Sequence, residues 1–153
     1  MKIIRDDLLC VRNGLIVHGC NCSGGFGSGV AGAILKKYPI VAQSYNACFE
    51  NKSYRPELLG HVQSVDFTGG SFVIVNGFTQ LKYGSDGLVY ADRNAVQNVL
   101  TRASDLAYLY GFKTVNMPKI GCGLGGLSWE LDIHPMVIAI EKLVGEKFVV
   151  WEI

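Results

Sequence analysis

Apolar residues recur along this chain in two rhythms. Short apolar runs with β-branched content, Leu15-Ile16-Val17, Thr114-Val115-Asn116-Met117 and Phe148-Val149-Val150-Trp151, read as buried strands. Helical spacing alternates with them. Gly27 to Tyr38 carries Val30, Ile34 and Leu35 on one face, Lys36-Lys37 near its end and Pro39 as a stop, and Val41 to Phe49 reads as another short helix. Tyr90 to Tyr110 sets Val96, Val99, Leu100, Ala103, Leu106 and Ala107 at helical intervals and closes at Gly111. Pro135 to Leu143 is amphipathic, with proline tolerated in its first turn. Gly60 to Phe67 and Phe72 to Phe78 flank Thr68-Gly69-Gly70-Ser71, the signature of an antiparallel hairpin. Asn51 to Pro56 is a polar connection inside one domain. This alternation predicts an α/β fold over residues 1–153: a central mixed sheet with helices on both faces, in three α/β/α layers.

Composition sharpens that picture. With 49% hydrophobic and 18% charged residues the chain leans apolar, as a sheet covered on both faces requires. Its 14 Lys+Arg against 13 Asp+Glu leave a net charge of +1, which excludes nucleic-acid binding through a basic patch, so any phosphate is held locally. The five cysteines are odd in number and no apolar leader precedes the first strand. These point to a reducing, cytoplasmic setting without membrane association, and a monomer is favoured. Cys20 and Cys22 have no downstream Cys/His pair at ligand spacing, so small buried thiols are expected rather than a metal site.

The candidate chemistry lies in two glycine-rich stretches about a hundred residues apart, Cys20-Asn21-Cys22-Ser23-Gly24-Gly25-Phe26-Gly27-Ser28-Gly29-Val30-Ala31 and Gly121-Cys122-Gly123-Leu124-Gly125-Gly126-Leu127. Each follows an apolar run, so both are expected beyond the carboxyl ends of strands as two lips of one site. Glycine lets a ligand approach backbone N–H groups closely, and rows of such donors suit phosphate oxygens. Gly27 to Gly32 formally matches G-x-G-x-x-G, but no second strand ending in an acid follows the helix, and no Lys-Ser/Thr follows Gly32. What remains is a helix N-terminus fed by glycines, a ready anion site.

Together with Asp7, His18-Gly19-Cys20-Asn21 and Phe78-Thr79-Gln80, and with Ser128-Trp129-Glu130 after the second stretch, these loops resemble the macro domain, the ADP-ribose-binding module, over essentially the whole chain. The chain is most similar to the small stand-alone branch that includes ADP-ribose 1″-phosphate phosphatases and terminal ADP-ribose glycohydrolases. Phe78-Thr79-Gln80 followed by Tyr83-Gly84 is similar to the phosphatase side. The resemblance implies that Asp7, with Leu8, receives the adenine, that Trp151 stacks on it, and that Gly27 to Ala31 and Gly121 to Leu127 cradle the diphosphate. It sets Asn21 against the distal ribose, with Phe26, Phe78 and Gln80 at its rim. Asn21 can equally satisfy its own turn, and the aromatic rings can equally be core. His18, beside the expected pocket, is the candidate general base, or else a strand-end histidine bonded only within the fold. Asp92 and Glu130 sit at helix starts, where capping and dipole roles explain them.

Departures from the family matter too. Branch members that remove ADP-ribose from macromolecules carry a lysine after the threonine of the middle motif, where this chain has Gln80. Some have an aspartate where it has Gly125, others where it has Ser128. The expectation is therefore an ADP-ribose-binding domain that hydrolyses ADP-ribose 1″-phosphate without a cofactor. The alternatives are a non-catalytic reader or scavenger, and a hydrolase acting on ADP-ribosylated macromolecules.

Overall fold

A computed structural model describes residues 1–153. Six strands, β1 (Lys2–Arg5), β2 (Gly14–Asn21), β3 (Val62–Phe67), β4 (Phe72–Gln80), β5 (Val115–Met117) and β6 (Phe148–Glu152), form one sheet in the order β1-β6-β5-β2-β4-β3. Every pairing is parallel except that of β3 with β4, so the sheet is mixed, as the alternation of strands and helices predicts. The helices are α1 (Gly29–Lys37), α2 (Pro39–Ala47), α3 (Arg93–Tyr110) and α4 (His134–Val144).

Side chains alternate across each strand, and this assigns the helices to faces. Leu15, Val17, Val73 and Val75 point into a core completed by Val96, Val99 and Leu100 of α3 and Val137 and Ile140 of α4. Ile16 and Ile74, one residue out of phase, meet Ile34 of α1 and Val41 of α2 on the opposite face. The three layers follow from that parity. On β4, a Cβ added to Gly77 would run into the Val99 side chain, so the missing side chain sets how closely α3 lies on the sheet.

The ends of the elements have local causes. The Asp92 side chain accepts the Ala95 N–H at 2.8 Å and starts α3, and Gly111 at φ 78° ends it. The helix begins three residues later than its apolar spacing predicts because Ala91 is bridged to Gln80 as an isolated antiparallel pair and Asp92, in extended geometry, caps the helix after it. Pro39 ends α1 and also opens α2, where its missing N–H removes no helical bond. Ahead of α4, Trp129–Ile133 form a π-helical turn. It is pinned by Ser128, whose hydroxyl accepts the Leu131 N–H while its own N–H donates to Asp132. No helix is long and apolar enough to cross a membrane. All five cysteines are free thiols.

Candidate functional site

A cleft of about 770 Å³ opens across the carboxyl ends of β6, β5, β2 and β4, a volume in the range of small-molecule sites. Neighbouring strands β2 and β5 feed its two lips. In the first lip, Ser28 precedes α1 in extended geometry but its side chain makes no capping bond, and the N–H groups of Gly29, Val30 and Ala31 have no partner in the chain. In the second, the Cys122 N–H donates to Lys119 O, Gly126 to Gly123 O and Leu127 to Gly121 O. The N–H groups of Gly123, Leu124 and Gly125 are left over. Two runs of three unpaired amides therefore border one cleft, one of them carrying the positive end of a helix dipole.

The glycines sort into two kinds. A Cβ on Gly125 would lie 2.7 Å from Gly121 O and 3.0 Å from Ala91 Cβ, and one on Gly32 would lie 2.7 Å from Gly27 O; these positions are closed by the fold itself. Gly27 and Gly123 differ: nothing in the protein lies within 4 Å of a Cβ on either, and neither has a left-handed backbone. Both border the cleft, one on each lip. Protein packing gives no reason for glycine there; room for a molecule against the amides does.

A third segment ties the lips together. The Tyr83 ring covers Gly25, leaving only 2.6 Å for a Cβ, so it rests on the first lip. Seven residues on, Tyr90 and Ala91 donate to Gly125 O at 2.9 and 3.0 Å on the second. Between these anchors the Tyr90 hydroxyl donates to the Asp86 carboxylate, 2.9 Å from each oxygen.

Of the residues singled out in the sequence, Asn21, Phe26, Gly27 to Ala31, Gln80, Gly121 to Gly125 and Trp151 line the cleft. Asn21 is committed to the loop: its Oδ1 accepts the N–H groups of Ser23 and Gly25 and the Tyr45 hydroxyl, and its Nδ2 donates to Gly25 O. That leaves one amide hydrogen for a ligand. The Trp151 indole N–H donates to Asn116 Oδ1 at 2.9 Å, which fixes the ring's plane at the β6 end. The Cys122 thiol also lines the cleft, and burial pushes its pKa up to about 11 against the opposing pull of Lys119, so it is a neutral thiol near pH 7.

Other residues singled out in the sequence lie off the cleft wall. His18 does not reach the cleft: it shares the parity of Ile16 and is buried on the α1/α2 side. Its Nε2 lies 2.6 Å from Asn76 Oδ1, Phe26 meets its ring edge-on at 5.6 Å, and Nδ1 has no partner. Burial lowers its pKa to about 4, only partly offset by the Asn76 bond. A water in the cleft has no access to it. Phe78 is core, stacked on Tyr45 rather than set at a rim. Gly126 and Leu127 lie outside the cleft wall, and Leu127 packs toward the core. Asp7 and Leu8 are outside it as well: the Asp7 carboxylate caps a short 3₁₀ turn by accepting the Leu9 N–H at 2.9 Å, and the Leu8 side chain is buried against Ile16 and Ile74.

Sequence reasoning missed Thr79, Lys119 and Glu152, which line the cleft, and Tyr45, which holds Asn21 from α2. Lys119 and Glu152 pair at 2.7 Å, and Lys119 also lies 5.6 Å from the centre of the Trp129 ring. Their adjacency to Gly121 and Trp151 was a usable signal; nothing in the sequence marks Tyr45.

The family model described as Macro domain matches residues 17–134. Among curated proteins, the ADP-ribose 1″-phosphate phosphatase of Meyerozyma guilliermondii is 27% identical, the match covering 85% of this chain and 88% of that protein. A solved structure of a Bacteroides thetaiotaomicron protein superposes with TM-score 0.84 at 25% identity, covering 100% of this chain and 99% of that one. The Thermosipho africanus DarTG structure, in complex with ADP-ribose, has TM-score 0.77 at 16% identity, covering 99% of this chain and 41% of that chain, and shares the fold.

Proposed function

The chain belongs to the macro domain family, and from that premise we propose that its cleft binds ADP-ribose and hydrolyses the 1″-phosphate monoester of that molecule. The observation carrying this reading is the pair of glycines, Gly27 and Gly123, whose missing side chains the fold does not need and whose neighbouring amides are unpaired. The diphosphate lies between the lips and accepts from Gly29 to Ala31 on one side and Gly123 to Gly125 on the other. Adenine stacks at Trp151 on the β6 flank; the distal ribose extends to the β4 flank, toward Asn21, Gln80 and Tyr83. Six charge-assisted amide bonds, set against the cost of association, lead to micromolar affinity, about −8 kcal/mol.

In the hydrolysis, water attacks the terminal phosphorus and the P–O1″ bond breaks. One proton of the water passes to the leaving O1″, releasing inorganic phosphate and ADP-ribose. Burial keeps the cleft-lining Cys122 thiol protonated near neutrality, the Glu152 carboxylate is held below the usual range by its bond to Lys119, and His18 is buried behind the cleft wall. Rate enhancement then comes from holding the terminal phosphate and its attacking water in line, a mode that phosphoryl transfer permits. The phosphatase name of relatives about 27% identical supports this activity. The burial of His18 favours one second reading, binding without turnover.

The test follows phosphate release from ADP-ribose 1″-phosphate, with Gly27→Glu as a folded control that fills the first lip. Release by the wild type and its loss in the control are expected. ADP-ribose binding without release moves the assignment to a reader, and absence of both overturns it.

A further inference from the structure

Among the side chains lining the cleft, only Lys119 and Glu152 carry formal charge, and they carry it to each other: Nζ to Oε2 is 2.7 Å. The other Glu152 oxygen faces Arg5 Nε at 3.7 Å, and Arg5 is the register partner of Glu152 across β1 and β6. One carboxylate thus occupies two cations. The pair sits where the sheet order gives it meaning: β6 is one strand beyond β5, whose loop supplies the second row of amides, and Glu152 directly follows Trp151. Trp151 and Glu152 alternate to opposite faces of β6 yet both line the cleft, so on the ADP-ribose reading a nucleotide with its diphosphate on the amides and its base at Trp151 has its adenosine ribose at the end of the cleft that this ion pair occupies.

We propose that Glu152 is a specificity-determining residue that admits an adenosine ribose with free hydroxyls and rejects one bearing a phosphate. The inference rests on the ADP-ribose reading of the cleft. A carboxylate accepts hydrogen bonds from ribose hydroxyls, whereas a phosphate finds a like charge already holding the two cations that would bind it. Without the carboxylate, the same place is a site for phosphate, made of Lys119 and Arg5.

The experiment measures affinities for ADP-ribose and for its 2′-phosphorylated form by calorimetry, in the wild type, Glu152→Gln and Lys119→Met, with thermal melts confirming that each variant folds. The wild type is expected to prefer ADP-ribose, and Glu152→Gln to shift the ratio toward the 2′-phosphorylated form by roughly tenfold or more. Lys119→Met, which keeps the carboxylate and removes a cation, keeps or strengthens the original preference. A ratio unchanged in Glu152→Gln, with both ligands still binding, overturns the assignment of Glu152 and leaves the reading of the cleft intact. A wild type that binds neither ligand overturns that reading instead.

Discussion

Replacing His18 with Gln separates structure from catalysis. The glutamine amide reaches about as far as the imidazole Nε2 and can keep the bond to Asn76, but it does not titrate. In the wild type the imidazole pKa falls from the ordinary 6.5 to about 4 because burial penalises the cation. A depressed pKa means that the unfolded chain binds the proton first as acidity rises. The stability His18 supports is therefore complete above pH 6.5 and is lost as pH falls from there to about 4. At roughly 1.4 kcal/mol per tenfold in proton affinity, the loss is about 3 kcal/mol, a large part of a domain's net stability. Urea unfolding of both proteins between pH 7.5 and 4 measures it: carboxylates common to both cancel, and the wild type should lose about 3 kcal/mol more than His18→Gln. Parallel curves would refute the burial argument. The same variant should bind ADP-ribose and release phosphate as the wild type does; a hundredfold fall in release from a folded His18→Gln protein would return the imidazole to the chemistry.

Gly77→Ala should destabilise the domain by about 1–3 kcal/mol, since its methyl meets Val99 and α3 has to move; an unchanged melting temperature would contradict that packing. Gly27→Ala and Gly123→Ala should leave stability unchanged or raise it by up to about 1 kcal/mol while weakening ADP-ribose at least tenfold, and a loss of stability without a loss of affinity would remove the main support for the binding reading. Trp151→Leu should weaken ADP-ribose by about 0.5–1.5 kcal/mol, a two- to tenfold rise in Kd; equal affinities would mean that the base lies elsewhere.

Periodicity carried the architecture because each buried strand and each helix leaves its own spacing, and both glycine lips follow strands whose ends converge. What it could not carry is the direction of a single side chain. His18 and Asn21 sit three residues apart at one strand end, yet only Asn21 lines the cleft, after the pairing register of β2 with β4 shifts between Cys20 and Asn21. A bulge of that kind leaves no mark in composition. Phe78 failed for a related reason: its partners Tyr45 and Leu58 come from α2 and a distant turn, and such long-range packing is invisible to local pattern. The segment from Tyr83 to Ala91 was legible only as a motif fragment. Its tie to the second lip is made by the Tyr90 and Ala91 main-chain N–H groups, whose partner Gly125 lies far along the chain and is not encoded by their side chains.

On the proposed reading the phosphate is held by main-chain N–H groups, and deleting side chains cannot delete them. Alanine scanning of the lips will find Ser28, Cys122 or Leu124 close to silent and under-report the most important surface of the molecule. The informative changes there add matter rather than remove it. Most sequence drift in these loops is accordingly neutral for phosphate binding until a side chain appears where none was, and inactivation should come as an abrupt steric step rather than a gradual decline.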